Sequence, residues 1–336
     1  MSRLDTKPQI GKLASDLGLK RSTKPVSEIV RYVRRRIRTI AKKYDCRSLA
    51  ALLNAASAEA GTVFREVHCD RDLDTIVEEF VPQGETIFAN LRNELRSQDY
   101  AITLKRWHAA AWEPPFVSII DCRGQKIYSV YFSKWHELAH LFTLTPQMRL
   151  VFRRTHSAAV HDPEEALMDV IAGEIGFLPD LLRTDGQEEI SFEFIERIRA
   201  EFCPQASYQA SLIGIVKALP RPCILLEAGL RLKKNEESAV LQAGSQRCPC
   251  PAPALRAIHV TVNQAARDAG IQMHPCWRVP KNSAVNQAFE QGEYAEAAEN
   301  LDWWVTSNGS QLASCSVLVK AKPSGDGVTA LLIPDR

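Results

Sequence analysis

The sequence predicts a mixed α+β protein, because segments with helical periodicity alternate with short β-rich segments. Helical periods occur at residues 29–44, at Leu73–Phe80 and at 163–176, whereas β-rich side chains concentrate at Val63–Val67 and Ile102–Trp107. The chain has 336 residues and is 45% hydrophobic, which suffices for a sizeable core in one large domain or in a few smaller ones. No Gly-rich phosphate loop is evident, so nucleotide hydrolysis is not supported.

The first segment is helical and basic. A polar stretch of about twenty residues, which we expect to be mobile, precedes a helix from Ser27 to Tyr44. The apolar residues of this helix recur at helical spacing and can face a core: Ile29, Val33, Ile37, Ile40 and Tyr44. Basic residues fill much of the rest: Arg31, Arg34, Arg35, Arg38, Lys42 and Lys43. No helix-turn-helix pattern accompanies them, which favours a solvated face or a surface for an acidic partner over direct DNA binding.

The pattern divides the chain into four segments. Residues 1–60 form the N-terminal basic helical region, and 61–190 form the core that contains the candidate catalytic residues. Residues 191–250 are a helical linker region that includes a strand at Ile224–Glu227, and 251–336 are a smaller C-terminal α+β domain.

The C-terminal segment predicts a sensor-like domain. Ile258–Val262 opens a βαβ-like pattern, and the later strands Ser316–Ala321 and Val328–Ile333 are joined by a Gly-containing turn. The pair Trp303 and Trp304 is interpreted as core in preference to a small-ligand platform.

Residues 116–132 predict two β-rich strands around a turn at Asp121–Gly124. Ser133 would then cap the helix that follows. A strand edge beside such a helix is the kind of surface on which an extended peptide binds.

The helix after this hairpin contains His136-Glu137-Leu138-Ala139-His140, a His-Glu-x-x-His pattern. Residues four apart share one face of a helix, so His136 and His140 can bind one divalent cation. Glu137 can then take a proton from a water molecule bound to that metal, because zinc lowers the pKa of bound water to about 7. The pattern predicts metal-dependent hydrolysis, most often of a peptide bond.

A catalytic zinc site needs a third protein ligand. The candidate is Glu165, in a helix that begins after Asp162-Pro163. Asp169 lies four residues further on the same face and can accept the outward N–H of a ligand imidazole. Glu164 is the alternative ligand, although its place near the helix start also suits a solvated acid.

These residues resemble a known family. The hairpin, the "FSKWHELAHLFTLT" helix and "EALMDVIAGEIGFLP" are similar to the ImmA/IrrE metallo-endopeptidases over roughly residues 60–180, and the region from about 255 onward is similar to the C-terminal part of longer members. The resemblance implies a gluzincin-like core, with His136, His140 and Glu165 as metal ligands and Glu137 as general base. One departure is that many members have Asn where this chain has Asp169.

The resemblance also implies a stress-response or mobile-element function, namely cleavage of a helix-turn-helix transcriptional repressor. Two rivals remain open: a non-catalytic regulator that binds a repressor or DNA and senses a signal through its C-terminal domain, and a general peptidase. Zinc is the expected cofactor, and two His with one carboxylate would also hold Mn²⁺ or Fe²⁺.

The hydrolytic mechanism calls for an oxyanion donor as well as a base. His156, His161, Tyr128 and Tyr131 are candidates, and a structural role is favoured for each.

Composition predicts a cytoplasmic enzyme without a membrane segment. The net charge is +2, and no apolar stretch reaches the roughly 18–20 residues of a membrane span. Nine scattered cysteines suit reduced thiols better than a disulfide framework. Cys248 and Cys250 flank one proline, which favours an interdomain linker over an accessory metal site.

Overall fold

The computed structural model describes residues 3–20, 22–144, 151–155 (backbone only), 162–182, 188–233, 236–238, 252–306, 309 and 311–335. Contacts divide the chain into two units. The first comprises Met1–Leu182 and Ile198–Gly214, and the second comprises Arg183–Arg197 and Ile215–Arg336. The division into four segments stays a prediction, and Cys248 and Cys250 lie outside the described residues.

Helices and strands are interspersed, so the predicted mixed α+β class is confirmed. The α-helices are α1 Pro8–Asp16, α2 Pro25–Lys43, α3 Leu49–Ala60, α4 Asp70–Phe80, α5 Leu91–Glu94, α6 Val130–Thr143, α7 Pro163–Ile175, α8 Pro179–Leu182, α9 Phe192–Phe202, α10 Tyr208–Ala218, α11 Gln264–Asp268 and α12 Ala284–Gln291. The strands are β1 Thr62–Val67, β2 Asp99–Lys105, β3 Phe116–Asp121, β4 Val151–Thr155, β5 Ile224–Arg231, β6 Ala254–Val262, β7 Ala295–Asn300, β8 Ser316–Ser324 and β9 Gly327–Pro334. No helix among the described residues is long and apolar enough to cross a membrane.

The sheet of the first unit has the order β1-β3-β2-β4. β1 is parallel to β3, and the other two pairings are antiparallel. Along each central strand, successive side chains point to opposite faces of the sheet. Ile102 and Leu104 pack in the core cluster that contains α4, whereas Thr103, between them, reaches α6.

The hairpin predicted at residues 116–132 is wrong. Its first strand is β3, but a 3-10 helix at Gly124–Ser129 replaces the second, and α6 begins at Val130. The buried Asp121 carboxylate explains the change, because it accepts hydrogen bonds from the backbone N–H and Nε of Arg123 and from Lys126 Nζ, which close the chain into a tight turn. β3 pairs with β1 on one side and β2 on the other, so it has no free edge.

Ser133 does not cap the motif helix, because it lies buried inside α6. This helix contacts β2, β3 and β4 as well as α2, α3 and α7. Eleven of its fourteen residues are buried. The motif thus sits on a helix whose position is fixed from several sides.

Helix α2 buries the predicted apolar stripe, apart from Tyr44, which is 46% exposed. Its basic face is partly paired within the first unit. Arg34 pairs with Glu174, and Arg38 Nε lies 2.8 Å from Asp180 Oδ2. The expected mobile N-terminal stretch is instead helical at Pro8–Asp16, because burial of its apolar residues stabilises that helix.

The sheet of the second unit has the order β6-β5-β9-β8-β7, and every pairing is antiparallel. The βαβ-like expectation is therefore wrong, although the predicted strand pair β8–β9 is present with Gly325 at φ +57° in its turn. Helix α12 packs against β7, β8 and β9. Trp304 is fully buried in this core, whereas Trp303 is 39% exposed.

Candidate metal centre

Helix α6 buries both histidines of the motif. His136 is 1% exposed and His140 is 3% exposed, and their Nε2 atoms lie 3.2 Å apart. Because the residues are four apart, one turn of helix aligns the two rings on the same face. Trp135 and Leu138, both fully buried, lie three residues apart and anchor another face of that turn in the core.

Helix α7 brings the third side chain to the histidines. Its start is set by Asp162, whose side chain accepts a hydrogen bond from the Glu164 N–H at 2.8 Å, and by Pro163 in the first turn. Since α7 packs against α6, Glu165 faces the imidazoles. The residues that can together hold a metal ion include Glu165 and do not include Glu164.

The three facing ligand groups have the spacing of a metal site. Glu165 Oε2 lies 3.1 Å from His136 Nε2, and Glu165 Oε1 lies 3.1 Å from His140 Nε2. Ligand atoms about 2.0–2.1 Å from a tetrahedral zinc ion are about 3.3–3.4 Å from one another. A divalent cation therefore fits among these atoms with small shifts.

The hydrogen-bond partners of His136 also favour a cation among these three side chains. His136 Nδ1 lies 2.9 Å from Asp169 Oδ1, and an ionised carboxylate only accepts, so Nδ1 carries the proton. In a neutral imidazole Nε2 then presents a lone pair, and it faces the acceptor oxygens of Glu165. A cation bound by both groups would remove the repulsion between the Nε2 lone pair and the carboxylate oxygens. Asp169 holds His136 in the tautomer that can bind such a cation.

The pKa values of the two neighbouring glutamates are shifted in opposite directions. Burial disfavours the charged form of Glu165, but the neighbouring imidazoles of His136 and His140 outweigh it and lower the pKa of Glu165 to about 2. The pKa of Glu164 is raised, first by burial and then by the charge of Asp162. Glu165 is thus anionic at neutral pH, as a metal ligand must be.

Glu137 is fully buried beside the ligands. Its Oε2 accepts a hydrogen bond from Thr103 Oγ1 at 2.6 Å, whereas the buried Oε1 has no partner among the described residues. Burial raises the pKa of this carboxyl, with the charge of Glu165 adding to the effect. An unpartnered buried carboxylate oxygen is costly in a fold and suits a group that exchanges a proton.

The sequence reasoning missed a chain of hydroxyl groups behind Glu137. Thr103 Oγ1 lies 2.7 Å from Ser118 Oγ, which lies 2.8 Å from Thr62 Oγ1, and all three residues are buried. Because the Thr103 hydroxyl donates to Glu137, the Ser118 hydroxyl donates to Thr103 and the Thr62 hydroxyl donates to Ser118. The sequence offered one signal for this chain, which is that each of the three strands has a hydroxyl residue at an inward position.

The structure does not place the tyrosine candidates for oxyanion donor among the ligands. The Tyr131 hydroxyl donates to the Gly176 carbonyl oxygen in the core, and burial raises its pKa. Tyr128 is 64% exposed. His156 and His161 lie outside the described residues.

A second group of metal-ligating atoms comprises Glu66, His68 and Cys122. It is the poorer site for two reasons. Lys134 Nζ already binds Glu66 Oε1 at 2.6 Å, and burial raises the pKa of Cys122 to about 11, which keeps the thiol protonated. The group on α6 and α7 has neither obstacle.

No family model matches the sequence, and no curated protein matches it. The resemblance to the ImmA/IrrE peptidases therefore depends on the motif residues and their spacing.

Proposed function

We propose that this protein is a zinc-dependent metallo-endopeptidase with a gluzincin-like core. The observation that carries the proposal is the position of Glu137. Its unpartnered Oε1 is buried, and the charges of the three convergent groups His136, His140 and Glu165 act on its carboxyl. A structural metal site has no use for such a carboxylate, whereas hydrolysis requires a base there.

The chain's residues have separate tasks in this proposal. His136, His140 and Glu165 would hold the metal, which when bound supplies a Lewis acid that acidifies water and polarises a carbonyl group. Asp169 holds the proton on His136 Nδ1. Glu137 takes a proton from the attacking water on Oε1 and delivers it to the nitrogen of the leaving amine. Thr103 orients Glu137 by donating to Oε2.

Strand β4 is the proposed place for an extended substrate. It is an edge strand that pairs with β2 on one side and contacts α6, and it has no second strand partner among the described residues. A peptide backbone can add to such an edge by main-chain hydrogen bonds. This moves the substrate edge from the predicted hairpin to the opposite side of β2.

The substrate class follows from the family resemblance. We propose a helix-turn-helix transcriptional repressor, cut in a stress or mobile-element response. We place the protein in the cytoplasm, which is supported by the seven cysteines of the described residues, since none of them is in a disulfide bond. Zinc is the proposed metal, and Mn²⁺ also suits two imidazoles and a carboxylate.

The test is cleavage of a repressor encoded beside the gene, with casein as a general substrate. The zinc-loaded chain should cut the repressor at one position, and Glu137→Gln should keep the metal while losing turnover by at least about a hundredfold. Glu164→Gln is the matched control and should remain active. Retained cleavage by Glu137→Gln would refute the base assignment, broad casein cleavage would favour a general peptidase, and repressor binding without cleavage would favour a non-catalytic regulator.

A further inference from the structure

A buried arginine in the second unit has no counter-charge among the residues that the structure describes. Arg256, on the edge strand β6, is 6% exposed. Its Nη1 donates to the Cys276 carbonyl oxygen at 3.2 Å, and its buried Nε has no partner among the described residues. No carboxylate of the described residues forms an ion pair with it.

Burying a guanidinium in this way is unfavourable unless an anion compensates it. One carbonyl oxygen takes a single N–H of the guanidinium, the buried Nε–H has no acceptor among the described residues, and no carboxylate of those residues neutralises the charge. Proteins pair or hydrate such groups, and an arginine fork matches the two oxygens of a carboxylate or a phosphoryl group. A bound oxyanion would therefore compensate the charge of Arg256.

The space for that anion is present. Arg256 lines a cleft of about 350 Å³, together with Arg278, Lys281 and Asn286. The backbones of Arg256 and Arg278 form an isolated β-bridge, which holds the two arginines side by side. Asn286, on helix α12, also lines the cleft and has an amide group that can donate a hydrogen bond.

The charge of the cleft is positive. Four basic and two acidic side chains line it. One acid, Glu236, is already engaged by Lys233, because its Oε2 accepts from the Lys233 N–H at 2.8 Å and its Oε1 lies 3.8 Å from Nζ. Among the described lining residues, Glu290 is then the one remaining acid beside Arg256, Arg278 and Lys281. A focused positive potential in a concave site attracts anions.

We propose that this cleft binds a small metabolite bearing a phosphoryl or carboxylate group. Arg256 and Arg278 would take the oxyanion, and Lys281 would add a point charge at the rim. The volume is near the lower end of ligand sites, which restricts the occupant to a small molecule. The proposal does not depend on the metal centre, since every residue of the cleft belongs to the second unit.

The test is calorimetric titration of the full chain with inorganic phosphate and, separately, with succinate at constant ionic strength. One equivalent of at least one anion should bind, and the tighter binder identifies the phosphoryl or the carboxylate class. Arg278→Ala and Lys281→Ala should each weaken Kd by roughly tenfold or more, since each removes a charge-assisted contact. Arg267→Ala, at an exposed arginine outside the cleft, is the control and should change Kd by less than about twofold.

Arg256→Gln should abolish binding, and circular dichroism would establish that the variant is folded. If that variant does not fold, the two exposed positions decide the question. The proposal is overturned if neither anion binds the wild-type chain, or if Arg267→Ala weakens binding as much as Arg278→Ala and Lys281→Ala do.

Discussion

Removal of the Asp169 carboxylate should weaken metal binding although no ligand is lost. Asp169 Oδ1 lies 2.9 Å from His136 Nδ1 and holds the proton there, so that Nε2 is the nitrogen that would bind the cation. In Asp169→Ala the imidazole can adopt the other tautomer or turn its ring. Part of the metal's binding energy must then be spent on restoring the binding form.

The expected loss can be bounded from the geometry. Removing such an acceptor commonly costs about 10- to 100-fold in metal affinity, or about 1.4–2.7 kcal/mol. The Asp169 side chain is 34% exposed, so water can partly replace it, whereas the His136 side chain is 1% exposed and cannot turn into solvent. We therefore expect about a tenfold loss for Asp169→Ala and a smaller one for Asp169→Asn, which keeps an acceptor oxygen.

A competition titration against a chromophoric zinc chelator measures this affinity directly. Glu164→Ala is the matched control, because Glu164 lies on the same helix and outside the ligand group. Equal affinities of Asp169→Ala and the wild type would refute the argument, as would an equal loss in Glu164→Ala.

The remaining predictions concern the base and the turn before α6. Thr103→Val should lower turnover by roughly tenfold with unchanged metal content, because Glu137 loses the donor to Oε2 that orients it; unchanged turnover in a peptide-cleavage assay would contradict this. Asp121→Asn should reduce the free energy of unfolding at pH 7 by about 2–3 kcal/mol, because Arg123 and Lys126 lose a buried partner. Burial opposes the ionisation of Asp121, but hydrogen bonds from those two residues outweigh it and lower its pKa. Its contribution is thus complete above the unfolded pKa of about 3.9 and is lost as pH falls through the folded pKa, so the difference between variant and wild type should vanish in acid denaturation curves. A difference that persists at low pH would contradict the assignment.

The parts of the site that could be predicted are those fixed by local helix geometry. A spacing of four residues on one helix is enough to align His136 with His140, and the same spacing relates Glu165 to Asp169. The sequence alone does not say that α6 packs against α7, so bringing the two pairs together needed the structure and the resemblance.

The errors have tertiary causes. Residues after Asp121 are rich in β-forming side chains, yet the buried Asp121 carboxylate binds Arg123 and Lys126 and turns the chain into a helix. The hydroxyl chain behind Glu137 depends on the pairing of Thr103 with Ser118 across β2 and β3. That register is a non-local property, which a single strand pattern does not contain.

In the second sheet, too, a strand can be predicted from its sequence but its partner strands cannot. The strand predicted at Ile224–Glu227 is present in the structure as part of Ile224–Arg231. In the structure Ile224–Arg231 pairs with both β6 and β9, far apart in the sequence. Its short apolar pattern indicates a strand without indicating which sheet it joins.

The most direct test of the central claim is elemental analysis of metal content in the purified wild type, Glu165→Ala and Glu164→Ala. The three-ligand site predicts about one zinc or manganese ion per wild-type chain, nearly as much in Glu164→Ala, and much less in Glu165→Ala. Absence of metal from the wild type after reconstitution would contradict the peptidase proposal, and equal metal in all three proteins would contradict the assignment of Glu165 as the third ligand.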